Sequence, residues 1–163
     1  MNPWAIGLDL GTTAVKAVLV DPDGCPVASS KKPSPLSEDS EGRSEIPLGA
    51  FLRAASGALA EVLRKAPPRT SLLLGLSSQR STVVLWNART GRPLGPALCW
   101  RDRRTPTLWP PPGLSAAEIA HRTGLRLSPH YSAGKIARIL EMRTPSPGWK
   151  AAPLPSWLIW RWS

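Results

Sequence analysis

The chain has 163 residues, a length typical of one domain. Its 19 prolines and 13 glycines stay below the share that marks low-complexity chains, and no apolar run approaches the roughly 20 residues of a membrane-spanning helix. The formal net charge of +10 is compatible with an anionic partner, but the basic residues alternate with apolar ones instead of forming a nucleic-acid-binding arm. We therefore expect a globular chain without a membrane partner, with nucleic-acid binding as a minor alternative.

The cellular compartment is predicted from the N-terminus and the cysteines. The first ten residues have no basic start and contain Asp9, which argues against an ordinary secretory signal. The two cysteines, Cys25 and Cys99, fall in strand-like segments with no His or Cys at metal-ligand spacing. We interpret both as small core residues of a protein in the reducing cytoplasm.

The first predicted elements form an antiparallel meander. Trp4–Val20 has the pattern of two apolar strands around a Gly-Thr-Thr turn. Asp21–Gly24 is typical of a second turn, and Cys25–Ser30 of a short third strand. Lys31–Glu45 is rich in Ser, Pro and charge without periodicity, which predicts a surface loop.

A helix and further strands follow. Ile46–Lys65 has apolar residues at three- and four-residue steps, which predicts a helix with one buried stripe. Leu72–Leu76 is a continuous apolar run, typical of a strand buried on both faces. Thr82–Trp86 predicts a strand, Asn87–Gly91 a hairpin loop, and Pro96–Trp100 extended structure. This order predicts an α/β fold with a mixed sheet and flanking helices.

The chain changes character after Trp100. Arg101–Gly113 is basic and then Pro-rich, which indicates irregular structure. Ser115 with a Glu three residues later forms a capping box, and Gly124 stands where a helix C-cap belongs. Ser132–Arg143 predicts a second helix of this region.

The last twenty residues combine a Pro-rich stretch with an apolar end. Thr144–Pro155 holds four prolines and is predicted as a loop, and Ser156 as the start of a final helix. Trp157–Trp162 carries three tryptophans, a leucine and an isoleucine. So much apolar area at a terminus predicts self-association or another partner surface.

The hairpin turn after the first strand has the composition of a phosphate cradle. Gly11 lets the backbone turn with its N–H groups directed at an anion. Thr12 and Thr13 add hydroxyl donors, Lys16 adds a positive charge, and Asp9 could hold a hydrated Mg²⁺. The same residues are also compatible with a plain hairpin that has a solvated aspartate.

Five segments, in order along the chain, carry a resemblance to a known family. Ile6–Thr13 (IGLDLGTT) resembles the first phosphate motif of the actin, Hsp70 and sugar-kinase superfamily. Leu74–Asn87 and Thr90–Thr105 resemble the FGGY carbohydrate kinases, among them glycerol kinases and xylulokinases. Thr123–Lys135 and Ser156–Arg161 match the same family in the same order.

The resemblance implies a two-lobed, ribonuclease H-like (actin-like ATPase) kinase that transfers the γ-phosphoryl of ATP to a sugar or polyol hydroxyl with Mg²⁺. The whole chain, residues 1–163, would form an incomplete N-terminal, substrate-binding lobe, with the C-terminal ATP-binding domain absent. Asp9 would serve the metal, and the phosphates would be bound by Gly11, Thr12, Thr13 and Lys16.

The substrate side is implied at five positions: Gln79, Arg80, Ser81, Trp100 and His130. Their chemistry suits a polyol, because Arg80 and Gln79 offer hydrogen bonds and Trp100 offers a flat apolar face. Alternatives stay open for three of them: Arg80 could end a strand at the surface, Trp100 could belong to the core, and His130 could be a structural donor.

The sequence departs from the family in ways that affect function. Glycerol kinases carry Glu where Ser81 stands and Tyr where His130 stands, and Arg101 adds a further positive charge. A larger or more acidic substrate than glycerol is therefore left open. No Asp follows Asp102, whereas the family's general base is an Asp in a later motif. We expect no catalysis by these residues alone, and the alternatives are a non-catalytic remnant or one half of a split kinase completed by a C-terminal half.

Overall fold

A computed structural model describes residues 3–104, 110 and 112–163. The strands are β1 (Trp4–Leu10), β2 (Ala14–Val20), β3 (Pro26–Pro33), β4 (Ser37–Glu38), β5 (Ser44–Ile46), β6 (Leu72–Ser78), β7 (Val83–Asn87), β8 (Ala97–Leu98) and β9 (Trp149–Pro153). The helices are α1 (Leu48–Leu63), α2 (Ala116–Thr123), α3 (Ser132–Met142) and α4 (Leu154–Trp162). Part of the predicted irregular segment Arg101–Gly113 lies outside the described residues.

The chain divides into two compact units, each built from separated stretches of sequence. Unit 1 contains Met1–Leu36, Ile46–Gln79 and Leu154–Ser163. Unit 2 contains Ser37–Glu45 and Arg80–Pro153.

Unit 1 is a four-stranded mixed sheet with helices, in the strand order β3-β2-β1-β6. The antiparallel pairs β1/β2 and β2/β3 form the predicted meander, and β6 joins β1 in parallel. The fold class predicted from the sequence is confirmed here. Alternate residues of β1 and β2 are buried, among them Leu8, Leu10, Val15 and Leu19.

Helix α1 supplies the other half of this core. Pro47 precedes its first turn, and its buried residues follow the predicted three- and four-residue spacing. They are Leu48, Phe51, Ala55, Ala58 and Val62. The predicted helix is therefore confirmed, although Leu63 of the predicted stripe is 41% exposed.

Unit 2 contains a five-stranded sheet in the order β4-β5-β8-β7-β9. Four consecutive residues of β7, Val83–Trp86, are buried, so this strand is covered on both faces. Helix α2 begins with the predicted cap, in which Glu118 N donates to the Ser115 hydroxyl at 3.1 Å, and it ends at Gly124 with φ 70°. Helix α3 packs against β7.

Three structural predictions are wrong. Strand β6 is not buried on both faces, because it lies at an edge of its sheet with Leu73 59% and Leu74 46% exposed. The predicted loop Lys31–Glu45 contains the end of β3 and the short strands β4 and β5. The predicted loop Thr144–Pro155 contains β9, which pairs with β7 and has its one proline, Pro153, at its last position.

The cysteine prediction holds for one residue of two. Cys99 is buried and Cys25 is exposed, because Cys25 lies in the turn between β2 and β3 and not within a strand. None of the described helices is long and apolar enough to cross a membrane.

Candidate functional site

The turn between β1 and β2 is shaped so that only glycine fits at its first position. A Cβ on Gly11 would lie 2.6 Å from the Ala14 backbone oxygen and 3.4 Å from Asp9 Oδ2. The backbone would have to shift to accept it, so the glycine is required by the close approach of the chain to itself. Gly11, Thr12 and Thr13 form the connection that the sequence predicts as the phosphate cradle.

Gln79 closes this turn from the end of β6. Its backbone N–H donates to Leu10 O at 3.2 Å. Its side chain donates from Nε2 to Gly11 O at 3.3 Å and accepts from the Thr12 hydroxyl at 3.3 Å. The structure thus places Gln79 against the phosphate turn, while its predicted part in substrate binding stays a prediction.

Asp9 and Lys16 flank the turn on neighbouring strands. They are direct partners in the antiparallel register, with Asp9 half-buried and Lys16 exposed. Within the described ranges, neither side chain makes a hydrogen bond or ion pair. Both charges therefore remain available to a ligand.

Asp9 fits a single Mg²⁺ contact. No group of three or more His, Cys, Asp or Glu side chains among the described residues could form an all-protein metal site. Mg²⁺ keeps several waters and is often held by one or two carboxylates together with phosphate oxygens. An unpaired carboxylate beside a turn that a Cβ would fill has the chemistry for that arrangement.

A second candidate site lies in unit 2, where the structure brings together two predicted substrate residues. The rings of Trp100 and His130 are 5.5 Å apart at an interplanar angle of 59°. They line an open cavity of about 460 Å³ with Glu38, Arg101, Arg103, Ser128 and Pro129. Trp100 is half-buried, so it is not an ordinary core residue.

Charged groups frame this cavity. The Arg101 guanidinium carbon lies 5.2 Å from the centre of the Trp100 ring, a cation–π contact. Arg101 also pairs with Glu38 at 3.4 Å. A flat ring, an imidazole and opposite charges offer stacking and hydrogen bonds to a hydroxylated ligand.

Arg80 and Ser81 follow Gln79 but do not line this cavity in the described part of the chain. Arg80 is exposed. Ser81 has φ 61°, in the left-handed region that non-glycine residues rarely adopt. Their assignment to the substrate stays a prediction.

Sequence reasoning missed Lys135, whose side chain binds the backbone of the loop that carries His130. Lys135 is 1% exposed, and its Nζ donates to the backbone oxygens of Pro129 at 2.5 Å and His130 at 2.6 Å. Burial lowers the pKa of Lys135 to about 8, opposed by the nearby Asp102 and Cys99. The small residues Ala133 and Gly134 before it are the sequence signal that a long side chain could turn inward here.

Asp102 is a second buried charge, adjacent in sequence to the cavity residues Arg101 and Arg103. It is fully buried and accepts from Ser44 N at 3.0 Å and from Arg104 Nη2 at 2.5 Å. Arg104 also pairs with Glu45 at 2.6 Å, and these hydrogen bonds raise the pKa of its guanidinium. The signal in the sequence is one aspartate inside a cluster of three arginines, which needs a counterion.

Known proteins match the chain over nearly its whole length. A family model described as the FGGY family of carbohydrate kinases, N-terminal domain, matches residues 4–150. A glycerol kinase from Gloeobacter violaceus is 36% identical over 165 residues, which covers 96% of this chain and 32% of that protein. The chain therefore spans about a third of the length of such curated relatives.

Solved structures agree on the fold. A Plasmodium falciparum glycerol kinase with ADP has a TM-score of 0.81 at 22% identity and is matched over 98% of this chain and 34% of its own. A xylulose kinase from Rhodospirillum rubrum has a TM-score of 0.74 at 26% identity, covering 87% of this chain and 30% of its own.

Proposed function

The chain belongs to the FGGY family of carbohydrate kinases, and we propose that it forms the N-terminal part of a kinase that transfers the γ-phosphoryl of ATP to a sugar or polyol. The observation that carries the proposal is the Gly11 turn, whose tight backbone and neighbouring charges suit a phosphate group. The family match supplies the reaction class.

The phosphate side of the reaction is assigned to unit 1. The backbone N–H groups and hydroxyls of the turn bind phosphate oxygens, and Lys16 neutralises their charge as a point cation. Asp9 would hold the Mg²⁺ that accompanies the nucleotide, and that ion would supply charge neutralisation at the phosphates. Gln79 keeps the turn in its binding shape through Gly11 O and the Thr12 hydroxyl.

The substrate side is assigned to unit 2. Trp100 offers its face to the carbon chain of a sugar or polyol, and His130 offers a ring nitrogen to a hydroxyl. Relatives are named glycerol kinases, and one similar structure is a gluconate kinase from Lactobacillus acidophilus. Because Arg101 and Arg103 outnumber Glu38 at the cavity, we include sugar acids among the substrates to be tested.

Turnover requires groups beyond those described above. General-base assistance contributes about 10²–10⁴-fold in enzymes, and no aspartate follows Asp102 in these 163 residues. Phosphoryl transfer further depends on groups placed around the whole transferring phosphate. We therefore expect a sample of these 163 residues to bind phosphate ligands without substrate-dependent ADP release.

The test of the proposal is phosphate binding by the chain, measured by amide NMR with tripolyphosphate and ADP, each with and without Mg²⁺. We expect both ligands to shift the Gly11–Thr13 signals, with Mg²⁺ strengthening binding. Asp9→Ala should remove the Mg²⁺ effect, whereas Asp23→Ala, an equal charge change in the exposed β2–β3 turn, should preserve it. An absence of any shift at the turn would contradict the proposal.

A coupled ADP-release assay with glycerol, xylulose and gluconate tests the substrate side. Activity that appears only after addition of a separately produced C-terminal half of a relative would support a shared, two-part enzyme. Substrate-dependent ADP release by the 163 residues alone, lost in Asp9→Ala, would contradict our expectation on turnover.

A further inference from the structure

One face of the four-stranded sheet carries a continuous row of polar residues across all its strands. The β-ladders pair Ser77 with Asp9, Asp9 with Lys16, and Lys16 with Lys31. Directly paired residues point to the same face of a sheet. The row therefore begins beside the phosphate turn and runs to β3, with Lys31 at its far end.

The two lysines of this row are direct neighbours of the same charge. Side chains opposite each other on antiparallel strands have Cβ atoms about 4.5–5.5 Å apart, and like charges there are destabilising. Both lysines are exposed, and neither makes an ion pair or hydrogen bond within the described residues. An anion bound between the two lysines would attract both ammonium groups and offset their mutual repulsion.

The row borders a trough on the same sheet, lined by two glycines and by side chains such as Val18. Gly7 and Gly75 are paired directly on β1 and β6, and they line a cavity of about 740 Å³ together with Asp9, Lys16 and Lys31. A Cβ on Gly7 would lie 3.2 Å from Val18 Cγ1. Glycine at position 7 thus makes room for the Val18 side chain, and the two lysines supply the charge along the edge of the trough.

The neighbouring residue Lys32 shows what a structural lysine looks like on the same strand. It points to the opposite face, where its Nζ pairs with Glu61 of α1 at 2.5 Å. Glu61 also accepts from the Ser30 hydroxyl. Lys31 and Lys32 are adjacent in sequence and equal in charge, but of these two only Lys31 lines the trough.

We propose that Lys31 is a second phosphate-binding cation, which extends the anion site from the Gly11 turn across β2 to β3 and favours a chain of several phosphates over a single one. This inference rests on the proposed function, because it assumes that phosphate binds at the turn. The ligand class is a polyphosphate chain, as in a nucleoside triphosphate. Lysine ammonium groups serve it as point charges that tolerate several positions of the chain.

The test compares tripolyphosphate with orthophosphate on the 163-residue chain by calorimetry and amide NMR at fixed ionic strength. Lys31→Gln should weaken tripolyphosphate binding about 3–10-fold and orthophosphate binding less than about twofold, as expected for one lost phosphate contact of roughly 1 kcal/mol. Lys32→Gln, the matched charge change on the other face, should leave tripolyphosphate binding within about twofold of the parent. Lys31→Arg keeps the charge and should retain most of the binding.

The outcomes separate this inference from the proposed function. Lys16→Gln should weaken both ligands, since its position adjoins the turn itself. If Lys16→Gln weakens binding but Lys31→Gln behaves like Lys32→Gln, the Lys31 inference is overturned and the phosphate turn stands. If neither ligand binds the parent chain at the turn, the proposed function is contradicted, and the Lys31 inference that rests on it is contradicted as well. Equal losses in Lys31→Gln and Lys32→Gln would also overturn the inference, because they would reflect overall charge only.

Discussion

The phosphate turn of unit 1 and the Trp100 cavity of unit 2 are built in opposite ways. The turn takes its groups from eight consecutive residues, Asp9–Lys16, and its charged side chains make no bonds with their neighbours among the described residues. The cavity takes its groups from three separated segments, held by the buried charges of Asp102 and Lys135. From this difference we expect substitutions at the turn to change ligand binding, and substitutions of Asp102 or Lys135 to change the free energy of unfolding.

The sharpest test of this contrast is the removal of one aspartate from each unit. Asp102→Ala should lower the free energy of unfolding by about 3–5 kcal/mol, because it leaves Arg104 and the Ser44 N–H without their buried acceptor. Asp9→Ala should change it by less than about 0.5 kcal/mol, because Asp9 has no such partners. Urea unfolding measures the loss of stability in each variant, and amide exchange in β7 and β1 assigns the loss to unit 2 or unit 1. Equal losses in the two variants would break the comparison.

A pH titration of stability reports on the second buried charge. Since the folded pKa of Lys135 is about 8 and the ordinary value is 10.5, the unfolded chain holds a proton between these pH values that the folded chain has released. The free energy of unfolding should therefore rise from pH 8 to 10.5, by about 1–3 kcal/mol in total. Below pH 8 both states are protonated, and this contribution should be constant.

The control for the titration is Lys135→Met, which keeps the length of the side chain without its charge. The rise with pH should disappear in this variant. A parent chain with the same pH profile as Lys135→Met would show that Lys135 keeps its ordinary pKa.

Glycine-to-alanine substitutions at two sites of unit 1 separate the binding turn from ordinary structure. Gly11→Ala should weaken tripolyphosphate binding at least about tenfold, because the new Cβ meets the Ala14 oxygen at 2.6 Å and displaces the turn. Gly57→Ala, in helix α1 with only a Lys32 carbon at 3.9 Å, should instead stabilise the fold by about 0.5–1 kcal/mol and leave binding unchanged. Calorimetry and urea unfolding measure the pair, and unchanged binding in Gly11→Ala would contradict the assignment of the turn.

The smallest expected change in stability is at the two described non-glycine residues with a left-handed backbone conformation, one in each unit. Arg69 of unit 1 and Ser81 of unit 2 have φ 57° and 61°. Glycine removes the left-handed penalty but loses more backbone entropy on folding, so each substitution to glycine should stabilise by about 0.5 kcal/mol. A gain at Arg69 with a loss at Ser81 would show that the Ser81 side chain stabilises unit 2.

Local patterns explain which parts of unit 1 could be predicted from the sequence. The strands around Gly11 and the helix with Phe51 and Val62 depend on periodicities and turn residues within one short window. The Gly11–Thr13 turn is equally local, and so its place between β1 and β2 could be predicted, while its phosphate-binding role stays a prediction. The edge position of β6 could not, because an apolar run does not show whether a neighbouring element will cover it.

Unit 2 depends on partners far apart in sequence, which local patterns do not reveal. Strand β9 lies in a segment with four prolines, and it is a strand because β7, far earlier in the chain, pairs with it. Lys135 differs, because its acceptors, the backbone oxygens of Pro129 and His130, are only six and five residues away, but no periodicity shows that a lysine side chain turns inward. The cavity pair Trp100 and His130 was predicted only through the family resemblance, since thirty residues separate them.

The discontinuity of both units constrains the order in which the chain can fold during synthesis. The Ser44 N–H cannot form its hydrogen bond until Asp102, 58 residues later, has been synthesised. Unit 1 is completed by the buried residues Leu154, Trp157 and Leu158 of helix α4, which are synthesised after all of unit 2. Closing such long loops early costs entropy that only the completed contacts repay. On the ribosome, the meander would therefore emerge long before helix α4, and the apolar surface that Leu154, Trp157 and Leu158 later cover would be open to chaperones until then.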